Sequence, residues 1–350
     1  MDNTPTVAAV AVEFPPHQHS QAEVMAALSD FAGPEFARFA ANSGVATRQL
    51  ALPLSRYSKL SGFTEANDAY LDIALDLSEQ ALLSALDEAE IVPAEIDVVF
   101  STTVTGLAVP SLEARLMTRM GLRPDVKRVP LFGLGCVAGA AGLARVHDYL
   151  RGFPNDVAAL LAVELCSLTV QRQDHSVGNM VAASLFGDGA GAVIATGAAR
   201  ASAGSKAGPK LLATRSRTYP DTEEILGWKI GSDGFSIVLS VEIATVVEKY
   251  LGDDVRDFLA DHGLIIEDIS AWIVHAAGPK VIDAVESVLD LSPDALDRTW
   301  NSLRDHGNLS SVSVLDILHD TALDPPEPGS LGLMIAMGPG FSAELVLLGW

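Results

Sequence analysis

A chain of 350 residues, 49% of them hydrophobic and 19% charged, can bury one large α/β body or two fused units. A formal net charge of −22 argues against nucleic acid and anionic membrane as partners, and it demands a local basic patch wherever a phosphate-bearing ligand is held. Two cysteines, Cys136 and Cys166, give no disulfide framework, no Cys/His spacing suggests a metal site, and no apolar run spans a membrane, so a metal-free cytoplasmic protein is expected.

Met1 to Ser20 is polar, Pro-rich at its end, and lacks the basic start of a signal peptide. Residues 65–91 place apolar side chains at helical spacing and stop before Pro93. A buried strand is predicted over Ile96 to Thr103, a Ser-started helix over Ser111 to Met120, and a short strand over Val129 to Phe132. Cys136 to Arg151 reads as a helix rich in small residues, and Val157 to Leu165 as a strand. The second half repeats the alternation. A helix over Glu242 to His262 precedes a short strand, Ala271 to Val274. Pro279 to Leu289 is a helix with Pro in its first turn, where a missing N–H costs nothing. A further helix over Ser292 to Arg304 and a last strand over Ala343 to Leu348 complete an α/β pattern. Residues 199–210, small and polar, are read as the loop joining units 1–198 and 211–350. Gly-rich turns running into strands at 185–194 and 338–347 are a weak echo between the two.

Three positions could carry chemistry. Cys136 follows a strand and a Gly-rich turn and opens a helix, a nucleophile-elbow arrangement. Unsatisfied N–H groups at a helix start favour thiolate over thiol. A small buried packing cysteine fits the same segment equally well. His275 ends a buried strand, where α/β proteins bind ligands, yet a core or loop histidine would look alike. Asn308 stands where a helix begins, so it is either an N-cap or an amide donor to a developing oxyanion. Asp188 is expected to fix a turn. Glu164, inside an apolar run, needs a partner, with the boundary between halves or subunits as its expected place.

The segments GLRPDVKRV (121–129), GCVAG around Cys136, LFGDGA (185–190), HAAGP (275–279), GNLSS (307–311) and GPGF (338–341) resemble, in this order, the type III (chalcone-synthase-like) polyketide synthases of the thiolase superfamily. The resemblance runs from about Phe36 to Trp350, and bacterial alkylpyrone-forming members look most similar. It implies a thiolase-like fold: two pseudo-repeated α/β halves in a layered αβαβα body. It implies Cys136 as acyl-accepting nucleophile, and His275 with Asn308 as the pair holding the thioester carbonyl. Phe186 corresponds to a gatekeeper, and Ile237 replaces a second gatekeeper Phe of plant members. Thr105, Thr169 and Ser310 fall on cavity positions. Arg38 matches one CoA-binding basic residue, while Glu35 and Asn42 replace two others, and Lys280 is the candidate substitute. The implied reaction loads a medium or long acyl-CoA, extends it with malonyl-CoA without cofactor or metal, and closes an alkyl α-pyrone. An alkylresorcinol product is the alternative within the class. A fatty-acid-initiating ketosynthase and a degenerate acyl-binding subunit are the alternatives outside it. A homodimer is also implied.

Overall fold

The computed structural model describes residues 3–200 and 208–350. The expected joining loop therefore lies mostly outside the described residues. Thirteen strands occur among those described: β1 (Thr6–Glu13), β2 (His17–Ser20), β3 (Thr47–Leu50), β4 (Val98–Thr102), β5 (Lys127–Leu131), β6 (Val157–Leu165), β7 (Asp188–Thr196), β8 (Lys210–Thr218), β9 (Leu226–Gly231), β10 (Gly234–Leu239), β11 (Ile269–Val274), β12 (Leu331–Gly338) and β13 (Ser342–Gly349). The helices are α1 (Gln21–Ala41), α2 (Leu54–Tyr57), α3 (Phe63–Glu88), α4 (Leu112–Met120), α5 (Ala138–Gly152), α6 (Val177–Leu185), α7 (Ile243–Ala260), α8 (Pro279–Leu289), α9 (Asp297–His306) and α10 (Ser313–Leu323).

Nine strands lie in the order β11-β12-β13-β8-β1-β7-β6-β4-β5. The join between halves is thin: β1 and β8 share one pairing, Thr6 with Lys210. On either side the pattern repeats. β4 runs parallel to β6, β6 antiparallel to β7, and β7 antiparallel to β1. Likewise β11 runs parallel to β12, β12 antiparallel to β13, and β13 antiparallel to β8. The two Gly-rich echoes fall at equivalent places, the turns that enter β7 and β13. α5 and α10 pack on each other between the two strand sets, α3 covers the first set, and α7 with α8 joins the core of the second. This is the expected layered thiolase-like architecture.

β6 shows why its sequence is a continuous apolar run. Ala158, Leu160 and Ala162 face the core around α5 and α10, whereas Ala159, Leu161 and Val163 face the core under α3. Several expectations are corrected. The N-terminal stretch supplies β1, a strand at the centre of the sheet. Residues 293–296 form a turn ahead of α9, which starts at Asp297 and not at Ser292. α1, α6, β12 and the β9–β10 hairpin are additional elements. No described helix is long and apolar enough to cross a membrane.

Candidate active site

Two glycines set the elbow that carries Cys136. Gly135 has φ +58°, a left-handed conformation that L side chains rarely adopt, and a Cβ there would meet the Pro339 ring at 2.6 Å. Gly139, in the first turn of α5, lets the helix approach the start of α10; a Cβ would lie 2.2 Å from the Ser311 carbonyl oxygen. Both middle-layer helices therefore point their N-termini at one place. Cys136 sits in a 3₁₀ turn leading into α5 and is 8% exposed. His275 follows β11, its N–H donating to the Ile335 carbonyl at 2.9 Å. Asn308 precedes α10.

Cys136, His275, Asn308, Phe186, Arg38 and Lys280 line a single cavity of about 520 Å³. Val177, Val181, Leu226, Leu239 and Ile243 form apolar walls. Asn308 takes part in both of its expected roles at once. Its Oδ1 accepts the Ser310 N–H at 2.8 Å, a helix-entry contact. Its Nδ2 donates one proton to the Ala277 carbonyl at 3.1 Å, which leaves a second donor on an oriented amide. Arg38 and Lys280 are exposed, and neither makes an ion pair with a described residue.

The other expected cavity residues lie elsewhere. Among the described residues, Thr105, Thr169, Ile237 and Ser310 are not on the wall of the large cavity. Thr105 and Thr169 border a separate cleft of about 10 Å³ beside Phe63 and Phe235, room for roughly one water. Their hydroxyls are committed: Thr105 donates to Glu164 at 2.9 Å, and Thr169 to the Cys166 carbonyl at 2.7 Å. Ser310 donates from Oγ to Glu164 at 3.3 Å and lies close enough to Cys136 to oppose the rise of its thiol pKa. Ile237 pairs with Trp228 on the β9–β10 hairpin, two residues from the lining Leu239.

Glu164 has the partners its burial requires. It accepts from Ser311 Oγ at 2.7 Å, Ser310 Oγ at 3.3 Å, Thr105 Oγ1 and the Val104 N–H at 3.1 Å. The carboxylate thus stitches the first half to the residues after Asn308, and burial still raises its pKa. Asp188 is structural, holding the Ala51 N–H at 2.6 Å and the Ser167 N–H at 2.8 Å.

Burial dominates the titration of the site. It pushes the Cys136 thiol up to about 12 and the His275 imidazole down to about 3. A thiolate formed by the helix terminus alone is therefore not what this environment supports. A proton passed from thiol to imidazole creates both charges together, and their attraction offsets the two costs. Replacing His275 with Gln removes that acceptor. The midpoint of Cys136 alkylation by iodoacetamide, read by intact mass against pH, is expected to rise by at least about one unit. An unmoved midpoint would show that the thiol ionises without the imidazole. Cys166, whose thiol burial also raises well above its ordinary value and which lies outside the cavity, should stay unlabelled.

Residues 53–199 match chalcone and stilbene synthases, N-terminal domain, and residues 210–349 match the C-terminal domain of the same family. The chain is 52% identical to a 1,3,6,8-tetrahydroxynaphthalene synthase of Streptomyces peucetius subsp. caesius, over 100% of this chain and 94% of that protein. It is 32% identical to a 3,5-dihydroxyphenylacetyl-CoA synthase of Amycolatopsis orientalis, over 95% and 90%. The crystal structure of the tetrahydroxynaphthalene synthase of Streptomyces coelicolor A3(2) superposes with a TM-score of 0.93 at 30% identity, covering 99% of each chain. The chain belongs to the chalcone and stilbene synthase family. It is a type III polyketide synthase, an acyltransferase that condenses malonyl-CoA, and the ketosynthase and non-enzymatic alternatives fall away. The expected likeness to alkylpyrone makers is corrected: a relative half identical over the full chain is named for a naphthalene product.

Proposed function

We propose that Cys136 accepts the growing chain and that His275 and Asn308 hold the thioester oxygen of malonyl-CoA. The observation that carries this is the convergence of three residues, far apart in sequence, on one cavity. His275 takes the Cys136 proton as sulfur attacks an incoming thioester, and the departing CoA thiolate takes that proton. Malonyl-CoA then loses CO₂. The negative charge moves to the thioester oxygen, where the imidazole and the free Asn308 N–H stabilise it. The carbanion attacks acyl-Cys136, a carbon–carbon bond forms, and the Cys136 sulfur leaves.

Malonyl-CoA alone is the proposed starter and extender, with a tetrahydroxynaphthalene-type product. The full-length relative supports this. An alternately oxygenated naphthalene can be assembled from two-carbon units with no separate acyl starter. The apolar cavity wall favours a second reading, the alkylpyrone from fatty acyl-CoA. Product mass spectrometry decides between them: malonyl-CoA alone, then with acyl-CoAs from acetyl to stearoyl, beside a Cys136→Ala control. An aromatic product from malonyl-CoA alone that outcompetes acyl-primed pyrones supports the first. Dominant alkylpyrones whenever acyl-CoA is present would sink it.

Arg38 and Lys280 are proposed to hold CoA phosphates at the cavity mouth, a local exception to the net negative field. Both are exposed, so each contact is screened. Arg38→Ala and Lys280→Ala are each expected to raise KM for malonyl-CoA about fivefold with kcat nearly unchanged, an effect that shrinks in high salt. An unchanged KM would remove the residue from the CoA site. A homodimer belongs to the same proposal. Val109 is 96% exposed, with the exposed Phe132 and Leu107 also in the first half, and size-exclusion chromatography with light scattering tests whether a second copy covers them.

A further inference from the structure

Arg48 on β3 is 2% exposed and has no surface role. Its Nη1 donates to the carbonyls of Ala183 and Phe186, each at 2.8 Å, and its Nη2 donates to Gln21 Oε1 at 2.6 Å. Gln21 in turn donates from Nε2 to the Ser184 carbonyl at 2.7 Å and to Ser43 Oγ at 2.9 Å. The Arg48–Gln21 pair thus collects three carbonyls at the C-terminal end of α6, where a cation is favoured by the helix dipole. Asp188 is the carboxylate that faces the guanidinium, from the residue where β7 begins.

The clamped segment does more than end a helix. The Asn308 N–H donates to the Leu185 carbonyl at 2.9 Å, and the Gly187 N–H donates to the Asn308 carbonyl at 3.0 Å. Phe186 and Asn308 form an isolated parallel bridge, and both side chains line the cavity. Asn308 is therefore located by residues 185–187, and those residues are located by Arg48 and Gln21. We propose that Arg48, oriented by Gln21, is a positioning residue for the reaction, setting the Asn308 amide and the Phe186 ring from the side opposite the substrate. This rests on the reading of Asn308 as the enolate-stabilising amide. Lysine cannot reproduce the function, because one ammonium cannot span the Ala183 and Phe186 carbonyls and Gln21 in the plane the guanidinium provides. Cys136 and His275 lie on other segments and are not held by this clamp.

That separation gives a test. Two reactions are measured: malonyl-CoA decarboxylation in a Cys136→Ala background, and Cys136 alkylation by iodoacetamide in the otherwise native enzyme. Arg48→Lys is expected to lower decarboxylation at least about tenfold, the scale of a displaced catalytic group, while alkylation stays within about twofold. A general loosening of the fold would slow or speed both with the loss of melting temperature, and that result would overturn the proposal. Decarboxylation within twofold of the parent would also overturn it, provided the parallel Asn308→Ala enzyme has lost the reaction. A fully active Asn308→Ala enzyme would instead sink the reading of Asn308, and the Arg48 proposal with it. If Arg48→Lys does not fold, Gln21→Met decides. About a threefold loss confined to decarboxylation supports the clamp, and no loss refutes it.

Discussion

Cys136→Ala is expected to abolish polyketide formation, by about a thousandfold or more, while malonyl-CoA continues to lose CO₂. The two halves of that result have separate causes. Chain growth needs a covalent acceptor, and among the described residues no second cysteine lines the cavity wall; Cys166 is buried outside it. Decarboxylation needs only donors aimed at the developing enolate oxygen, the role proposed for His275 and Asn308 from the other half of the chain. Alanine also fits the site, because the helix that follows opens with five Ala and Gly residues and the removed sulfur is a small buried group. Asn308→Ala and His275→Ala should show the converse, with decarboxylation reduced about a hundredfold to a thousandfold. Liquid chromatography of acetyl-CoA released from malonyl-CoA reads one reaction, and product mass reads the other. Retained polyketide in Cys136→Ala would remove the residue from the mechanism. Decarboxylation lost in the same variant would mean that the sulfur itself takes part in that step.

Glu164→Leu should be the most destabilising single change near the site. Leucine strands the Val104 N–H and the hydroxyls of Ser310, Ser311 and Thr105, which converge on the carboxylate from both halves. Each buried donor left without an acceptor costs about 1–3 kcal/mol. In a domain of this size that lowers the melting temperature by several degrees. Glu164→Gln should cost less, because one oxygen remains and the hydroxyls can rotate. The pH dependence has a definite sign. Burial raises the folded pKa of Glu164 above its ordinary value of 4.5, so the folded chain binds the proton more tightly than the unfolded chain. Its contribution to stability is fully present at acid pH and declines as pH rises through the folded pKa. The deficit of Glu164→Gln relative to wild type should therefore narrow as pH rises above 4.5, in urea melts at matched ionic strength. A deficit that widens over the same range would mean that the carboxylate, once charged, is better stabilised here than in water.

Much of this was written locally. Val157–Leu165 and Pro279–Leu289 lie where the sequence places them, the first because both faces are buried, the second because Pro279 opens the helix. The elbow before Cys136 was visible in its glycines, and the need of Glu164 for a partner in its apolar surroundings. The meeting of Cys136, His275 and Asn308 was not visible in periodicity. It follows from α5 and α10 sharing the middle layer, and only the ordered motifs suggested it. Thr105 and Thr169 border a small separate cleft, and the ordered motifs carried no sign that their hydroxyls are committed to Glu164 and the Cys166 carbonyl. Arg48 gave no signal: an arginine in a four-residue strand looks exposed until the carbonyls around it are known.

The thin seam between β1 and β8 has a consequence for how the protein is made. β1 leaves the ribosome well before β7, the last strand of the first half, and β8, the first of the second, yet it pairs with both. At ordinary translation rates, an apolar strand destined for the centre of the sheet waits about ten seconds or more for either neighbour. During that interval it is an open edge, available to another nascent chain. Yield in a heterologous host should therefore be governed by how well chaperones shield β1 until its partners emerge, and slower, cooler expression should raise the soluble fraction without altering the finished enzyme.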